Sequence, residues 1–217
     1  MASTNTCACV VMNTLAPTAK DVSLTDLNPP SKTYLIVLLF QGCTRRRDIV
    51  FVLDASGSVE AKFDLAMQFT RKVIQGLNFA GGRTRVGVVT YDDSSHIRFH
   101  LNKYTDQQSV LNAIAYTITF GRTNTASGID DMRNNMFTSQ NGDRSGDDNF
   151  GIVITDGYSN INRDQTPVSA QLAKQSGITL MAVGIGKNGD VDRSEINEIA
   201  SDPDNQYAFL LEDETQL

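Results

Sequence analysis

DIVFVLDASGSVE, residues 48–60, joins an unbroken apolar run to a cluster of oxygen-bearing side chains. The run DIVFVLD has the pattern of a β-strand that is covered on both faces, and it ends in the carboxylate of Asp54. Ser56 and Ser58 follow closely, with Gly57 between them to allow a tight turn. Asp54 alone would be interpreted as a cap for the next helix, because aspartate is common at that position. A plain cap, however, does not need two further hydroxyls.

Strand and helix patterns alternate along the rest of the chain. Apolar strands are predicted at 48–54, 85–92, 150–157, 178–186 and 206–211, and an alternating edge strand at 96–101. Helical spacing is found between them at 59–77, 105–117, 125–138, 165–176 and 192–200. Because the core strands are rich in Val and Ile, this alternation predicts an α/β domain with a mostly parallel sheet.

Hard oxygen donors are expected to meet at one edge of this sheet. Asp54 and Asp156 each lie at the end of a predicted core strand, and α/β sheets bind ligands at the carboxyl ends of their strands. The loop that carries Thr123 can reach the same edge as Ser56 and Ser58. Mg²⁺ prefers about six oxygen ligands and usually keeps some water, so three hydroxyls and two carboxylates suit it. Such a site leaves a position open for an acidic group of a partner.

Three motifs carry these residues in order along the chain. They are DASGS at 54–58, GRTNTASGI at 121–129, which contains Thr123, and VITDG at 153–157, which contains Asp156. Together they resemble the metal-ion-dependent adhesion site of the von Willebrand factor A domain, also called the integrin I domain, of the extracellular-matrix or collagen-like type. Short Ser/Asp motifs recur by chance, so the resemblance depends on all three motifs standing in order at predicted strand ends.

Later segments extend the resemblance. AKQSGITLMAVGIG (173–186) is similar to the late helix-to-strand segment of the family, and IASDPDNQYAFLL (199–211) is similar to its closing strand. The resemblance covers about 43–217. It implies a Rossmann-like, doubly wound α/β fold, with a mostly parallel sheet, one antiparallel edge strand and helices on both faces.

The resemblance also implies a role for each donor. Ser56, Ser58 and Thr123 match the residues that bind the ion directly, whereas Asp54 and Asp156 match aspartates that often act through water. The implied cofactor is Mg²⁺ or Mn²⁺, and an exposed Glu or Asp of a protein ligand would complete its coordination. That ligand is expected to be collagen or another matrix or cell-surface protein.

Two residues flank the expected site, Arg122 and Tyr158. Both are candidates for ligand contact, and the alternative is that they are ordinary loop residues.

The sequence departs from the family pattern at two places. Members usually end with a long amphipathic helix after the last strand, whereas this sequence stops at LEDETQL (211–217), near the start of that helix. Extracellular members often have a cysteine where Cys43 stands, paired with one beyond the last helix, and no cysteine follows Cys43 here. We therefore expect the domain at 43–217 to lack its C-terminal helix. An apolar strip of the sheet would then be exposed.

The chain before the domain has a different composition. Residues 1–33 are rich in Ser, Thr, Asn, Ala and Pro, which predicts a disordered or poorly ordered N-terminal segment over 1–42. YLIVLLF (34–40) is far shorter than the roughly 20 residues of a membrane span. It is either part of a signal-sequence remnant at 34–42, or an extra strand or loosely ordered apolar patch. The triplet RRR at 45–47 is interpreted as a solvated lead-in, with a processing site or a phosphate patch as alternatives.

Composition and motifs narrow the function classes. The net charge of −6 argues against nucleic-acid binding, which needs a basic face. The resemblance implies a divalent-cation-dependent adhesion module that is secreted or part of the extracellular matrix. The alternative is an intracellular scaffold or complex-assembly A domain. A hydrolase with Ser56 or Asp54 as nucleophile is disfavoured, because neither G-x-S-x-G nor a suitably placed histidine is present, so we expect no enzyme.

Overall fold

A single six-stranded sheet forms the centre of the protein. The computed structural model describes residues 31–41, 45–115, 118–187 and 189–217. The strands are β1 (Arg47–Asp54), β2 (Thr84–Tyr91), β3 (Ser95–Phe99), β4 (Asp148–Thr155), β5 (Ile178–Ile185) and β6 (Ala208–Leu211). Their order in the sheet is β3-β2-β1-β4-β5-β6, and only β3 runs antiparallel to its neighbour. The predicted mostly parallel sheet with one antiparallel edge strand is therefore confirmed.

Helices cover both faces of the sheet. They are α1 (Lys32–Gln41), α2 (Phe63–Gly76), α3 (Gln107–Ala113), α4 (Thr125–Asp131), α5 (Thr166–Gln175), α6 (Arg193–Ile199) and the short α7 (Asp204–Tyr207). Buried residues of α1, α2 and α3 share one apolar cluster with the sheet, and those of α4, α5 and α6 share the other. The result is the expected doubly wound α/β arrangement.

The apolar run of β1 divides between these two clusters. Ile49, Phe51 and Leu53 belong to the cluster on one face, and Val50 and Val52 belong to that on the other. All five side chains are fully buried. Because alternate residues of a strand point to opposite faces, a strand covered on both sides reads as continuous apolar sequence.

Two predicted helices differ in detail from the observed ones. The helix predicted at 59–77 begins as a 3₁₀-helix over Gly57–Lys62 and continues as α2. The helix predicted at 125–138 is α-helical only to Asp131 and continues as a π-turn over Met132–Met136. Met132 and Met136 are both fully buried there, so the wider turn keeps both side chains in the core.

The prediction of a disordered or poorly ordered segment up to residue 42 differs from the structure at α1. The apolar run at 34–40 forms neither an extra strand nor a loose patch, because it lies within this helix. Val37 packs so closely on α2 that a Cβ at Gly76 would lie 2.5 Å from its Cγ2 atom. The Phe40 ring meets that of Phe150 edge-on, with centroids 5.1 Å apart. Residues 1–30 and Cys43 lie outside the described residues, and the signal-sequence remnant stays a prediction.

The expected apolar strip on the sheet is not exposed. Among the described residues, the large hydrophobic side chains that are exposed are Tyr34, Phe120, Tyr158, Val168 and Leu172, and none belongs to a strand. Ile36 and Phe40 of α1 belong to the apolar cluster on the face of the sheet that α2 and α3 also cover. No helix in the described part of the chain is long and apolar enough to span a membrane.

The strand order locates the crevice where such sheets bind ligands. The order in which strands are added to the sheet reverses at β1, because β2 and β3 lie on one side of it and β4, β5 and β6 lie on the other. Ligands of open α/β sheets bind beyond the carboxyl ends of the strands at this point. Asp54 ends β1, and Asp156 directly follows β4.

Candidate metal centre

The carboxylate of Asp54 is held firmly at the end of β1. Its side chain is buried, with a relative exposure of 1%. Oδ1 accepts a hydrogen bond from the backbone N–H of Ser56 at 2.9 Å. Oδ2 accepts hydrogen bonds from the hydroxyls of Thr155 at 2.9 Å and Tyr91 at 3.4 Å. These bonds fix the direction in which the carboxylate points, as a metal site requires of its ligands and their supports.

The turn after Asp54 brings two serine hydroxyls together. The Oγ atoms of Ser56 and Ser58 are 3.0 Å apart. Gly57 does not have a left-handed backbone conformation, so the expected need for its conformational freedom is not borne out. A Cβ at Gly57 would lie 3.5 Å from backbone atoms of Phe120, which is an ordinary contact.

Thr123 comes from a different loop and reaches the same place. Its Oγ1 atom lies 3.5 Å from Oγ of Ser58, and the residue is 1% exposed. The loop is fastened to the turn after β1, because Gly57 donates to the carbonyl of Gly121 at 3.0 Å. It is also fastened to the loop after β4, because the N–H of Thr123 donates to Oδ1 of Asn160 at 2.9 Å. Three chain segments are thus held in a fixed relation around these hydroxyls.

Asp156 supplies the second carboxylate. It is 2% exposed, and Oδ1 accepts a hydrogen bond from the N–H of Tyr158 at 3.4 Å. The ammonium group of Lys62, in the 3₁₀-helix before α2, lies 4.0 Å from Oδ2 of Asp156. A positively charged side chain is therefore already close to the second carboxylate.

Burial makes the negative charge of this site costly. The pKa of Asp54 is raised to about 6, mainly by desolvation and in smaller part by the nearby charge of Asp156, while hydrogen bonds from Ser56 and Thr155 oppose the rise. A buried carboxylate whose pKa is raised in this way favours a bound cation, because an opposite charge stabilises its ionised form.

The donor set fits a hard divalent cation. Three hydroxyls and two carboxylates are all oxygen ligands, which Mg²⁺ and Mn²⁺ prefer, whereas zinc sites in proteins are usually built from Cys and His. Among the described residues, no group of three or more His, Cys, Asp or Glu side chains is placed to hold a metal ion. A site with only two carboxylates depends on its hydroxyls and on water for the remaining coordination.

Arg122 and Tyr158 lie beside this centre and are accessible. The side chain of Arg122 is 71% exposed, and its Nε donates to Oδ1 of Asp93 at 3.0 Å. Tyr158 is 50% exposed. Arg122 directly precedes the buried Thr123, and Tyr158 is two residues after the buried Asp156.

Two supports of Asp54 were missed by the sequence analysis. Thr155 directly precedes Asp156 in VITDG, so a hydroxyl at a strand end was the available signal. Tyr91 pairs with Asp54 across β1 and β2, and only the strand register reveals that relation.

A buried network of hydrogen-bonded side chains continues beyond Tyr91, and the sequence analysis missed it as well. The Tyr91 hydroxyl lies 3.4 Å from Oγ1 of Thr125, which in turn lies 2.6 Å from Oγ of Ser159. Ser159 also hydrogen-bonds the carboxylate of Glu195, which is fully buried and pairs with Nε of Arg163 at 3.1 Å. This network ties the loop that carries Asp156 to α6.

The hydroxyl of Ser56 lies among oxygen atoms, and the histidine of the edge strand contacts a different residue. The hydroxyl of Ser56 lies 3.0 Å from that of Ser58, and it also hydrogen-bonds the carboxylate of Asp54. The ring of His96, on the edge strand β3, instead lies 3.2 Å from Oδ1 of Asp92.

Comparison with known proteins gives a consistent family. The model of the von Willebrand factor type A domain matches residues 48–217. Integrin alpha-11 of Mus musculus is 34% identical over 186 residues, which are 82% of this chain and 15% of the integrin chain. Matrilin-3 of Homo sapiens is 34% identical over 175 residues, 78% of this chain and 35% of the matrilin. The chain thus spans well under half the length of these relatives.

Solved structures give the same fold. Proximal thread matrix protein 1 from the mussel byssus, solved with a zinc-occupied metal-ion-dependent adhesion site, superposes with a TM-score of 0.70 at 24% identity. The match covers 78% of this chain and 45% of that protein.

Proposed function

Since the chain belongs to the von Willebrand factor type A domain family, we propose that it is a divalent-cation-dependent adhesion module. In this proposal it binds an acidic group of a matrix or cell-surface protein through Mg²⁺ or Mn²⁺. Asp54, Ser56, Ser58, Thr123 and Asp156 would hold the ion.

The observation that carries the proposal is the meeting of hydroxyls from separate loops. Ser56, Ser58 and Thr123 form a continuous series of oxygen contacts of 3.0 and 3.5 Å, although Thr123 is far from the serines in the sequence. Asp54 ends β1 and Asp156 directly follows the neighbouring β4 at the same edge of the sheet, and both are almost completely buried. A helix cap needs one such acceptor, whereas a cation site needs several convergent oxygens.

The five residues would have two kinds of task. The hydroxyls of Ser56, Ser58 and Thr123 are neutral donors and would bind the ion directly. The carboxylates of Asp54 and Asp156 would act mainly through water, so that little of the ion's charge is cancelled by direct contact. The ion would supply a Lewis-acidic position for a carboxylate of the partner.

Charge favours an acidic partner. Two carboxylates balance the charge of one divalent cation, and the ammonium group of Lys62 lies 4.0 Å from Asp156. The loaded site therefore has excess positive charge, which attracts a Glu or Asp side chain.

The surface around the centre would select the partner. Arg122 and Tyr158 are exposed there and can contact a ligand without changing the buried donors. The relatives named above are an integrin subunit, a matrilin and a thread matrix protein. The integrin and the matrilin support a matrix or cell-surface protein as the partner and a secreted or matrix location for this chain, and collagen is the matrix protein to test first.

A cation-dependence assay tests this function. The full chain is passed over immobilised fibrillar collagen and over a panel of purified matrix proteins, in Mg²⁺, in Mn²⁺ and in EDTA. Binding in either cation should disappear in EDTA and in Thr123→Ala, and it should persist in Thr105→Ala, whose parent side chain is exposed outside the site. Binding that is equally strong in EDTA, or that a folded Thr123→Ala protein retains, would contradict the proposal.

A further inference from the structure

A cavity lies at the amino ends of the strands, opposite the end of the sheet that carries Asp54. This cavity of about 410 Å³ is enclosed by the end of α1, the loop before β2 and the first residues of β1 and β2. Its lining includes three arginines, no acidic residue and some apolar surface: Arg45, Arg47, Arg83, Phe40, Leu77 and Thr84. Its volume lies within the range of about 300–1,000 Å³ that is usual for small-molecule sites.

Arg47 is the unusual member of this lining. The residue is only 6% exposed, and its Nε has no hydrogen-bond partner. Nη1 donates to the carbonyl of Phe40 at 2.5 Å, and Cζ lies 5.6 Å from the centroid of the Phe40 ring. Among the described residues, no ion pair of Arg47 with a carboxylate is found, although the charge of Asp148 acts on it through space. Burial of this guanidinium removes its hydration, and the charge of Asp148, which already pairs with Arg45, offsets that loss only in part, so the pKa of Arg47 is lowered.

The neighbouring arginines behave differently. Nη1 of Arg45 pairs with Asp148 at 3.4 Å, and Nε of Arg46 pairs with Asp147 at 3.1 Å, and both arginines are about half exposed. The interpretation of RRR as a solvated lead-in therefore holds for Arg45 and Arg46, but it is wrong for Arg47. Asp147 and Asp148 are engaged in these pairs, so the charge of Arg47 is only partly balanced.

We propose that this cavity binds a tetrahedral oxyanion ester, that is, the sulfate or phosphate group of an organic molecule. Arg47 supplies the buried cation, and the exposed Arg83, on the loop before β2, supplies a second at the mouth. Phe40 and Leu77 give apolar surface for the organic part of the ligand. Guanidinium groups suit such anions, because their planar N–H groups can bond two oxygens at once.

This site is independent of the candidate metal centre. It lies at the amino ends of β1 and β2, whereas Asp54 and Asp156 lie at the carboxyl ends of β1 and β4. Binding at the cavity should therefore be insensitive to EDTA. It should weaken as salt concentration rises, since it depends on charge.

Calorimetric titration of the full chain in EDTA tests the proposal. The probes are a heparin-derived hexasaccharide, glucose 6-phosphate and inorganic sulfate, and at least one of the two esters should bind more tightly than inorganic sulfate. Preference for the hexasaccharide would assign a sulfated polysaccharide, and preference for the phosphate would assign a small phosphate ester. Arg47→Met, which keeps an apolar stem against Phe40, should weaken binding about tenfold, as expected for loss of one charged hydrogen bond.

Two further variants keep the test decisive. Arg83→Met should also weaken binding, and because Arg83 is exposed, the variant keeps its fold even if Arg47→Met is damaged through loss of its bond to Phe40. Arg98→Met, at an exposed position on the edge strand β3, should bind like the wild type. No binding of either ester by the wild type would overturn the proposal. It would also be overturned by equal weakening in Arg98→Met, which would indicate only diffuse attraction.

Discussion

Replacement of Asp54 by Asn should separate the stability of the metal-free protein from its ability to bind a cation. Asp54 is fully buried, and desolvation raises its pKa from 3.8 to about 6. Because the folded state holds the proton more tightly than the unfolded state, Asp54 favours folding most below about pH 4. That contribution is lost as the pH rises through about 6, so an ionised Asp54 destabilises the metal-free protein at neutral pH.

The size of the effect follows from the pKa shift. A rise from 3.8 to about 6 corresponds to about 3 kcal/mol between the folded and unfolded states. Asn resembles the protonated acid and can still accept from the N–H of Ser56. The Asp54→Asn protein should therefore unfold with a free energy about 3 kcal/mol higher than the wild type at pH 7 in EDTA. The difference should vanish near pH 4.

Denaturant unfolding of both proteins at pH 4 and pH 7 measures these differences. In Mg²⁺ at about 100 times its dissociation constant, the wild type should gain about 2.7 kcal/mol, and Asp54→Asn should gain almost nothing. Asp190→Asn, at an exposed position, is the matched control and should change neither value.

Two results would refute this reasoning. A metal-free Asp54→Asn protein that is less stable than the wild type at pH 7 would mean that the carboxylate is not destabilised by its burial. An Asp54→Asn protein that is stabilised by Mg²⁺ as much as the wild type would mean that the carboxylate does not take part in cation binding.

Three further substitutions test other parts of the account. Arg144→Met removes the ion-pair partner 2.7 Å from the buried Asp48 and should lower the free energy of unfolding at pH 7 by about 3–5 kcal/mol. Burial raises the pKa of Asp48, so this side chain becomes neutral at acid pH, and denaturant unfolding should show a smaller loss there. Phe120 is 68% exposed with φ +60°, so Phe120→Gly should raise the free energy of unfolding by about 1 kcal/mol through relief of backbone strain; a lower value would contradict that strain. Lys62→Met removes the ammonium group 4.0 Å from Asp156 and should tighten Mg²⁺ binding about tenfold by calorimetry; weaker binding would mean that Lys62 supports the site instead of competing with the ion.

The parts of the fold that the sequence predicted are those with strong local patterns. The continuous apolar run before Asp54 predicted a strand covered on both faces. Successive residues such as Phe51 and Val52 are both apolar, although they point to opposite faces of the sheet. The alternating residues near His96 predicted an edge strand, and β3 is the antiparallel edge. The proximity of Ser58 and Thr123 followed from strand ends that meet at one edge of a parallel sheet.

Features that depend on tertiary contact were not predictable in the same way. The apolar run inside α1 has no periodicity, so helix and strand could not be told apart from its pattern. Its conformation follows from packing, with Val37 against Gly76 and Phe40 against Phe150. The burial of Arg47 depends on the same helix, since its guanidinium lies against Phe40.

Supports of the candidate site were hidden for a related reason. Tyr91 reaches Asp54 because the two residues pair across β1 and β2, and a sequence without strand register does not reveal that pairing. Glu195 lies on α6, far along the chain, yet it hydrogen-bonds Ser159 in the loop after β4. Buried polar networks of this kind join residues with no common sequence pattern.

Calorimetric titration of the full chain with Mg²⁺ and with Mn²⁺ tests the proposed cation site most directly. The wild type, Asp54→Ala and Thr123→Ala are compared after their folding has been verified by circular dichroism. We expect a single ion per chain for the wild type and no measurable binding for either variant. A folded wild type that binds neither ion, or variants that bind as tightly as the wild type, would contradict the convergence of these oxygens on a cation.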